Sequence, residues 1–359
     1  MQKLKITVLF DEDREGHEST HDEVVDQVAN ALTENGHKTS LLGIHDNLHE
    51  FLDKLDEQKP DLVFNLCETF ADNYYGEMYV AAVLNMLNLR FTGTGAAGMA
   101  FRQDKAVTKK LLAFHDVPCP NYATFAKDRL EFAGKMKFPL FVKPLRRDAS
   151  AGVGDKSLVN DYSSLMKRID YIQHELHDTA LVEEYIDGRE FFVSVLGNYP
   201  AKSLPLIELD YSKLADGHPH IYGEKAKFDE GSEEYQEINF GIATDLTPEL
   251  RDRITTIGVK AASALQVLDY ARVDIRLGRD GIPYVVEVNA NPYLEQTAEF
   301  AVSALQAGMA YSNIINQIVE LAWERWEQIS HQKIKREIIK KLAVKKPSLV
   351  KVAEDKQKK

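Results

Sequence analysis

Residues 271–292 restrict the fold of this 359-residue chain more than any other stretch: Ala-Arg-Val-Asp-Ile-Arg-Leu-Gly-Arg-Asp-Gly-Ile-Pro-Tyr-Val-Val-Glu-Val-Asn-Ala-Asn-Pro. Val273, Ile275 and Leu277 alternate toward a turn at Arg279-Asp280-Gly281, and Tyr284 to Val288 return, which predicts a β-hairpin. Strand side chains alternate, so Asp274 lies on the face opposite Val273 and Ile275, while Glu287 and Asn289 share one face of the returning strand. The hairpin therefore gathers Asp274, Glu287 and Asn289 into an all-oxygen cluster, a donor set suited to Mg²⁺ holding the phosphates of a nucleotide. A single acidic strand residue is more often just solvated. Glu-Val-Asn followed by Ala-Asn-Pro behind such a hairpin is a far more specific signal.

The first ninety residues read as an open α/β sheet. Leu4 to Phe10, Lys38 to Leu42 and Pro60 to Asn65 are strand-like, separated by helical stretches at Glu18 to Asn35 and His45 to Glu57. Strands alternating with helices imply a parallel sheet with crossover helices, here a small doubly wound domain ending near Thr92-Gly93. In such sheets ligands bind beyond the carboxyl ends of the strands, which makes Asn65, Glu68 and the pair Tyr74-Tyr75 candidates for gripping a substrate. Packing of those aromatics on the next domain is the equal alternative. Gly93 to Gly98 reads as a linker to a helix over Asp104 to Phe114, with Lys105 near its start, where main-chain N–H groups and a lysine both suit phosphate.

A second strand-rich segment begins at Pro118, with a short helix expected over Asp128 to Met136 and an apolar strand ending in Lys143. A lysine there must reach solvent or an anion, because a buried unpaired ammonium is costly. The small-residue loop Leu145 to Asp155, which includes Arg146, Arg147 and Ser150, has the composition of a flap that folds over phosphates before a strand at Lys156 to Val159. Two further strands meet at the turn Asp187-Gly188, after Glu183-Glu184-Tyr185-Ile186 and before Glu190. The main chain here can face a purine, and Glu190 can accept from ribose hydroxyls, though alone it reads as a surface acid. Residues 200–245 are irregular and polar and read as a mobile loop over the site, with Lys227 a phosphate contact. Helices are expected from Thr247 to Leu265, Thr297 to Ala304 and Met309 to Trp326.

Composition excludes several classes. A formal charge of -12 argues against a general nucleic-acid binder. No run approaches a membrane span and no signal-peptide pattern opens the chain, so a cytoplasmic protein without membrane contact is expected. Cys67 and Cys119 are too few for a disulfide framework or a zinc site. The tail differs: residues 331–359 carry about +8, with Ile334, Ile338, Ile339 and Leu342 spaced for an amphipathic helix before a lysine-rich end. It reads as a solvated tail or an intramolecular partner for the acidic body.

Glu183 to Glu190, Ala271-Arg272-Val273-Asp274 and Glu287-Val288-Asn289-Ala290-Asn291-Pro292, with Lys105 and Lys143 upstream, together resemble the ATP-grasp carboxylate-amine ligases, most closely the D-alanine:D-alanine ligase family. The resemblance covers roughly residues 1–327. It implies an α/β protein, α+β in its catalytic part, with the ATP-grasp fold: a pre-ATP-grasp substrate domain over 1–93, a central lid subdomain over 94–184, a metal-binding subdomain over 185–328, and the basic tail over 329–359. By position it implies that Lys105, Lys143 and Lys227 contact nucleotide phosphates, that Glu183, Glu184, Tyr185 and Ile186 form the adenine side, and that Glu190 is the ribose carboxylate. It makes Asp274, Glu287 and Asn289 ligands of Mg²⁺ or Mn²⁺, and it places Arg272, with Lys227 and Ser150, at the reacting groups. The chemistry implied is ATP-dependent amide formation: a carboxylate attacks the γ-phosphate of ATP, and an amine then displaces phosphate from the acyl phosphate. Small-molecule carboxylate and amine substrates and a homodimer follow from the same likeness. A phosphotransferase or a nucleotide-binding regulatory protein on the same fold, or a genuine D-alanine:D-alanine ligase, are the alternatives.

The departures lie at the substrate end. The family's His-Gly after the third strand is Asn65-Leu66-Cys67-Glu68 here, its flap serine aligns with Ala149, and its tyrosine with Phe228. The glycine after its Asn-Pro is Tyr293, and its Ser-Leu pair falls on Ala298 and Glu299. A tyrosine beside the developing oxyanion, and a glutamate where a substrate carboxylate would sit, argue against D-alanyl-D-alanine as the product.

Overall fold

The structure, a computed structural model, describes residues 2–343 except 16, 17, 74, 128, 134, 149 and 216, and no side chains at 13–15, 18–20, 132, 133 and 329–343. The expectations for Tyr74, for Ala149 and for the apolar face of the tail fall outside these residues.

Three sheets organise the chain. The first is parallel, in the order Lys38–Ile44, Lys5–Asp11, Leu62–Asn65. The helix Glu23–Glu34 covers one face, started by Asp22, whose side chain accepts from the Val24 N–H. The helices Leu48–Gln58 and Gly76–Met86 cover the other face through Phe51, Leu55, Val80 and Leu84. This is the expected doubly wound arrangement. The long helix Tyr311–Ala343 adds Ile314, Ile315, Ile318 and Val319 to the core beneath Glu23–Glu34, so the end of the chain helps bury the beginning. Each such fully buried aliphatic side chain stabilises by roughly 1.5–3 kcal/mol before entropy is counted.

The second sheet is antiparallel, in the order Leu130–Ala133, Tyr122–Phe125, Ala180–Glu184, Leu140–Pro144, Leu158–Val159, backed by the helix Tyr162–His174. The third runs Asn239–Ile242, Ile207–Asp210, Gly188–Leu196, Tyr270–Gly278, Pro283–Ala290, with Lys202–Ser203 beside Gly188–Leu196. The helix Pro248–Ala264 packs on it through Ile254, Ala261 and Ala262, against Val273, Ile275, Val285 and Val288. Thr247 caps that helix and Pro248 opens it, as the sequence predicts.

Four expectations need correction. No helix spans Asp128 to Met136: Leu130 and Phe132 alternate with polar neighbours, and Leu130–Ala133 pairs with Tyr122–Phe125 as an edge strand. The linker after Gly93 contains a helix, Ala96–Gln103, directly before Lys105–Phe114. Residues 200–245 are not an unstructured loop; they supply three strands of the third sheet, Lys202–Ser203, Ile207–Asp210 and Asn239–Ile242, and the one-turn helices Glu224–Phe228 and Glu233–Glu237. The strand expected at Lys156 to Val159 is a 3₁₀ turn at Asp155–Ser157 followed by the two-residue strand Leu158–Val159.

Gly93, just beyond the first sheet, is tied to the residue that precedes the strand Tyr270–Gly278 of the third. Its N–H donates to Asp269 Oδ2 at 2.8 Å, and Arg325 Nη2 donates to the same oxygen at 2.8 Å. Gly93 has φ +84°, and a Cβ on it would stand 2.2 Å from Asn291 Oδ1, so this junction needs glycine on both counts. Among the described residues no helix is long and apolar enough to cross a membrane.

Candidate active site

The hairpin forms as the alternation predicts, and its register places the acids. Asp274 stands directly opposite Glu287 and Arg272 opposite Asn289, with a bulge between Asp274 and Ile275. Like charges directly opposite one another destabilise a sheet, so two carboxylates in this register need nearby cations to hold them. Those cations are present. Arg272 Nε donates to Asp274 Oδ1 at 2.9 Å, and Lys105 Nζ lies 3.4 Å from Glu287 Oε1. Asn289 Nδ2 donates to Asp274 Oδ2 at 3.2 Å, which completes the oxygen-rich cluster. Burial pushes the Glu287 carboxyl up, but Lys105, Lys143, Lys227 and Arg272 together bring it down to about 2. For Asp274 burial outweighs the neighbouring Arg272, and its carboxyl rises to about 6.

The cluster forms one wall of a cleft of about 850 Å³. Lys105, Lys143, Ser150, Glu183, Glu184, Tyr185, Ile186, Glu190, Lys227, Asp274 and Glu287, all singled out from the sequence, line it. Each arrives by a different local route. Asp104 caps the helix Lys105–Phe114, accepting from Ala106 N and Val107 N, which fixes Lys105 at the first turn. Lys105 Nζ donates to Arg147 O at 2.7 Å and Asp148 Oδ1 at 3.3 Å, anchoring the flap. Lys143 ends its strand facing Val286 O at 3.3 Å and Glu183 Oε2 at 3.1 Å, so the anion its burial requires is a protein carboxylate. Ser150 sits at φ 60° and donates from Oγ to Tyr222 O at 3.2 Å, joining the flap to the segment beside Lys227. Lys227 has its Nζ 5.2 Å from the centre of the Tyr222 ring and makes no ion pair among the described residues. Burial and Arg272 hold its ammonium below the ordinary lysine range.

At the other end of the cleft, Glu190 stands opposite Arg276 across two strands, with the guanidinium 3.6 Å away, and accepts from Tyr211 OH at 2.7 Å. Arg276 lies over the Tyr185 ring at 4.8 Å. Phe141, Tyr185, Ile186, Phe192 and Val286 make this end largely apolar.

The proposed substrate residues are arranged differently, and they lie outside the cleft lining. Glu299 is 8% exposed and accepts from Arg272 Nη1 at 3.1 Å, so Arg272 is shared between two carboxylates. Tyr293 is 40% exposed and its hydroxyl donates to Asp22 Oδ1 at 2.7 Å, reaching the first domain. Glu68 is exposed after the strand Leu62–Asn65, where desolvation by the surrounding protein and the nearby Asp11 raise its carboxyl to about 7. Asn65 is fully buried: its side-chain oxygen accepts from Cys67 N at 3.3 Å, and its Nδ2 has no hydrogen-bonding partner among the described residues.

Sequence reasoning missed several charged residues. Arg276 lies two residues beyond Asp274 on the same face of its strand, so the period-two count that found Asp274 also points to it. Lys109, one helical turn after Lys105, lies 2.5 Å from Glu183 Oε1 and shares that buried carboxylate with Lys143. Arg102 and Asp148, paired at 2.9 Å, brace the flap with Glu77.

Comparison with known proteins follows the same outline. A family model described as the D-ala D-ala ligase C-terminus matches residues 111–320. The uncharacterized protein y4sG of Sinorhizobium fredii is 33% identical over 308 residues, covering 84% of this chain and 88% of that protein. A D-alanine–D-alanine ligase of Bacillus anthracis is 28% identical over 309 residues, covering 85% and 94%. The crystal structure of a Bacillus anthracis D-alanine–D-alanine ligase complexed with ATP superposes with a TM-score of 0.71 at 21% identity, covering 91% of this chain and 99% of that one.

Proposed function

Because the chain belongs to the D-ala D-ala ligase C-terminus family, we propose that it is an ATP-dependent carbon-nitrogen ligase joining a carboxylate to an amine with release of ADP and phosphate. One observation carries the reading: paired acids on a hairpin, Asp274 opposite Glu287, face Lys105, Lys143 and Lys227 across a single cleft. Acids alone would repel a nucleotide and lysines alone would not orient a metal. Together they suit a metal-nucleotide pair.

Lys105, Lys143 and Lys227 hold the phosphates, with Lys227 gaining the anionic partner it otherwise lacks. The apolar end formed by Tyr185, Ile186 and Phe141 takes the purine, and Glu190 takes the ribose hydroxyls. Asp274, Glu287 and Asn289 fit Mg²⁺ or Mn²⁺, since an all-oxygen donor set with two opposed carboxylates is what a hard divalent cation satisfies. The ion supplies positive charge that offsets charge on the transferring phosphoryl group. Arg272 is placed to stabilise that group and the tetrahedral adduct that follows, with Ser150 keeping the flap over the reacting atoms. The substrate carboxylate attacks the γ-phosphorus, ADP leaves, and the amine displaces phosphate from the acyl phosphate.

The acceptor is an amine without a free carboxylate, or one bearing a second cationic group. Glu299 already occupies one side of Arg272, and Asp22, Glu68 and Glu295 place acidic groups around Tyr293. An ADP-release screen over paired amino acids, dipeptides and amines tests the reading, with mass spectrometry of the product. ADP formation together with a product weighing one water less than the two substrates supports it. A phosphorylated product without an amide, or no ADP from any pair, overturns it.

A further inference from the structure

Apart from the cleft, the flap carries a second cluster of ligand-type side chains. Asp155, His218 and Glu234 each present one ligand atom, and the three atoms lie within 4.8 Å of one another. They come from separate places: the turn that follows the flap, the segment after Tyr211, and the one-turn helix Glu233–Glu237. His218 Nδ1 is buried and has no hydrogen-bonding partner among the described residues. A buried polar atom in that condition carries its full desolvation penalty, which a ligand would relieve. The same place already draws a positive charge, because Lys225 Nζ stands 3.9 Å from Asp155 Oδ2 and 3.9 Å from Glu234 Oε1. Neither distance is a tight pair, and the Lys225 side chain is 58% exposed.

We propose that Asp155, His218 and Glu234 form a binding site for a divalent transition ion of the zinc class, separate from the oxygen-only cluster on the hairpin. One imidazole and two carboxylates, with solvent completing a tetrahedron, are a zinc donor set, whereas Mg²⁺ prefers oxygen alone. The site fastens the flap. Gly152 N donates to Glu224 Oε2 at 2.9 Å, and Glu224 N donates to Val153 O at 3.1 Å, so the flap already rests on the segment leading to Lys227. An ion shared by Asp155 on one side and His218 and Glu234 on the other turns that contact into a staple and links flap closure to metal supply.

Titration calorimetry of the full chain with Zn²⁺, in excess Mg²⁺ and without nucleotide, tests this. One Zn²⁺ should bind per chain. His218→Ala should weaken binding by at least about tenfold, the size that loss of even an outer-shell partner reaches. Lys225→Ala should tighten it by removing the competing charge, and Glu287→Gln in the cleft should leave it unchanged. Zn²⁺ should also raise the thermal midpoint of the wild type but not of His218→Ala. No binding, binding indifferent to His218→Ala, or binding lost only in Glu287→Gln overturns the proposal. Should His218→Ala fail to fold, Lys225→Ala decides: tighter binding supports the site, and unchanged affinity overturns it.

Discussion

The two ends of the hairpin Tyr270–Ala290 are built on opposite principles. Toward the cleft, charged groups stand on the wall of a cavity: Lys227 makes no ion pair among the described residues, and Asp274 and Glu287, held by Arg272 and Lys105, both line the space. Beyond Ala290, polar groups outside the cleft lining are closed in pairs, Glu299 with Arg272 and the Tyr293 hydroxyl with Asp22. An array held open toward a cavity is ready for a charged ligand, whereas a closed pair sets what may approach. The first arrangement suits the reaction shared by a family, and the second the choice of acceptor within it.

The sharpest way to break this contrast is Glu287→Gln. Removing one of two facing carboxylates should cut ATP turnover by at least about a hundredfold, measured as phosphate release with a matched substrate pair. Near wild-type release would end the metal assignment.

Glu183→Gln tests whether the ion pairs in the cleft wall are structural. Glu183 is buried with Lys109 and Lys143, and losing it leaves two ammonium groups uncompensated, at about 3–5 kcal/mol of stability. Burial raises its carboxyl, but Lys109 and Lys143 win and hold it below the ordinary value of 4.5. A carboxyl depressed by folding stabilises above its unfolded pKa, and that stabilisation is lost as pH falls through the folded one. The gap in thermal midpoint between wild type and Glu183→Gln should therefore be full at pH 7 and shrink in the acid range below 4.5.

Glu299→Gln sharpens the contrast at the acceptor end. It frees one side of Arg272 and removes a negative charge, so kcat/KM for a carboxylate-bearing acceptor should rise by about tenfold while the KM for ATP stays put. Tyr293→Phe is the smallest change. It removes one hydroxyl bond to Asp22, about 1 kcal/mol or less, and should raise the acceptor KM slightly without altering phosphate release in the first half-reaction.

The difference between the two ends also marks what the sequence makes legible. The hairpin could be read because alternation and a glycine turn are local, and local rules place Asp274, Glu287 and Asn289 on one face. Lys105 and Lys143 could be read from their places at a helix start and a strand end. Arg276 obeys the same alternation and is legible by the rule that places the acids. The strand Leu130–Ala133 is not legible, because four residues at a sheet edge carry too little periodicity to tell a strand from a helix. The pairs at the substrate end are a different case: Arg272 finds Glu299 across 27 residues and Tyr293 finds Asp22 across 271. Only tertiary packing makes such contacts, so the sequence suggested that Glu299 would repel a substrate without revealing the cation it already holds.

The central claim is that the reaction is retained while the acceptor has changed. The most direct measurement compares kcat/KM for one amine acceptor in two forms, with a free carboxylate and with that carboxylate amidated, at saturating ATP and donor. The account predicts faster amide formation with the amidated form. Preference for the free carboxylate, with D-alanyl-D-alanine made robustly from D-alanine, would contradict it.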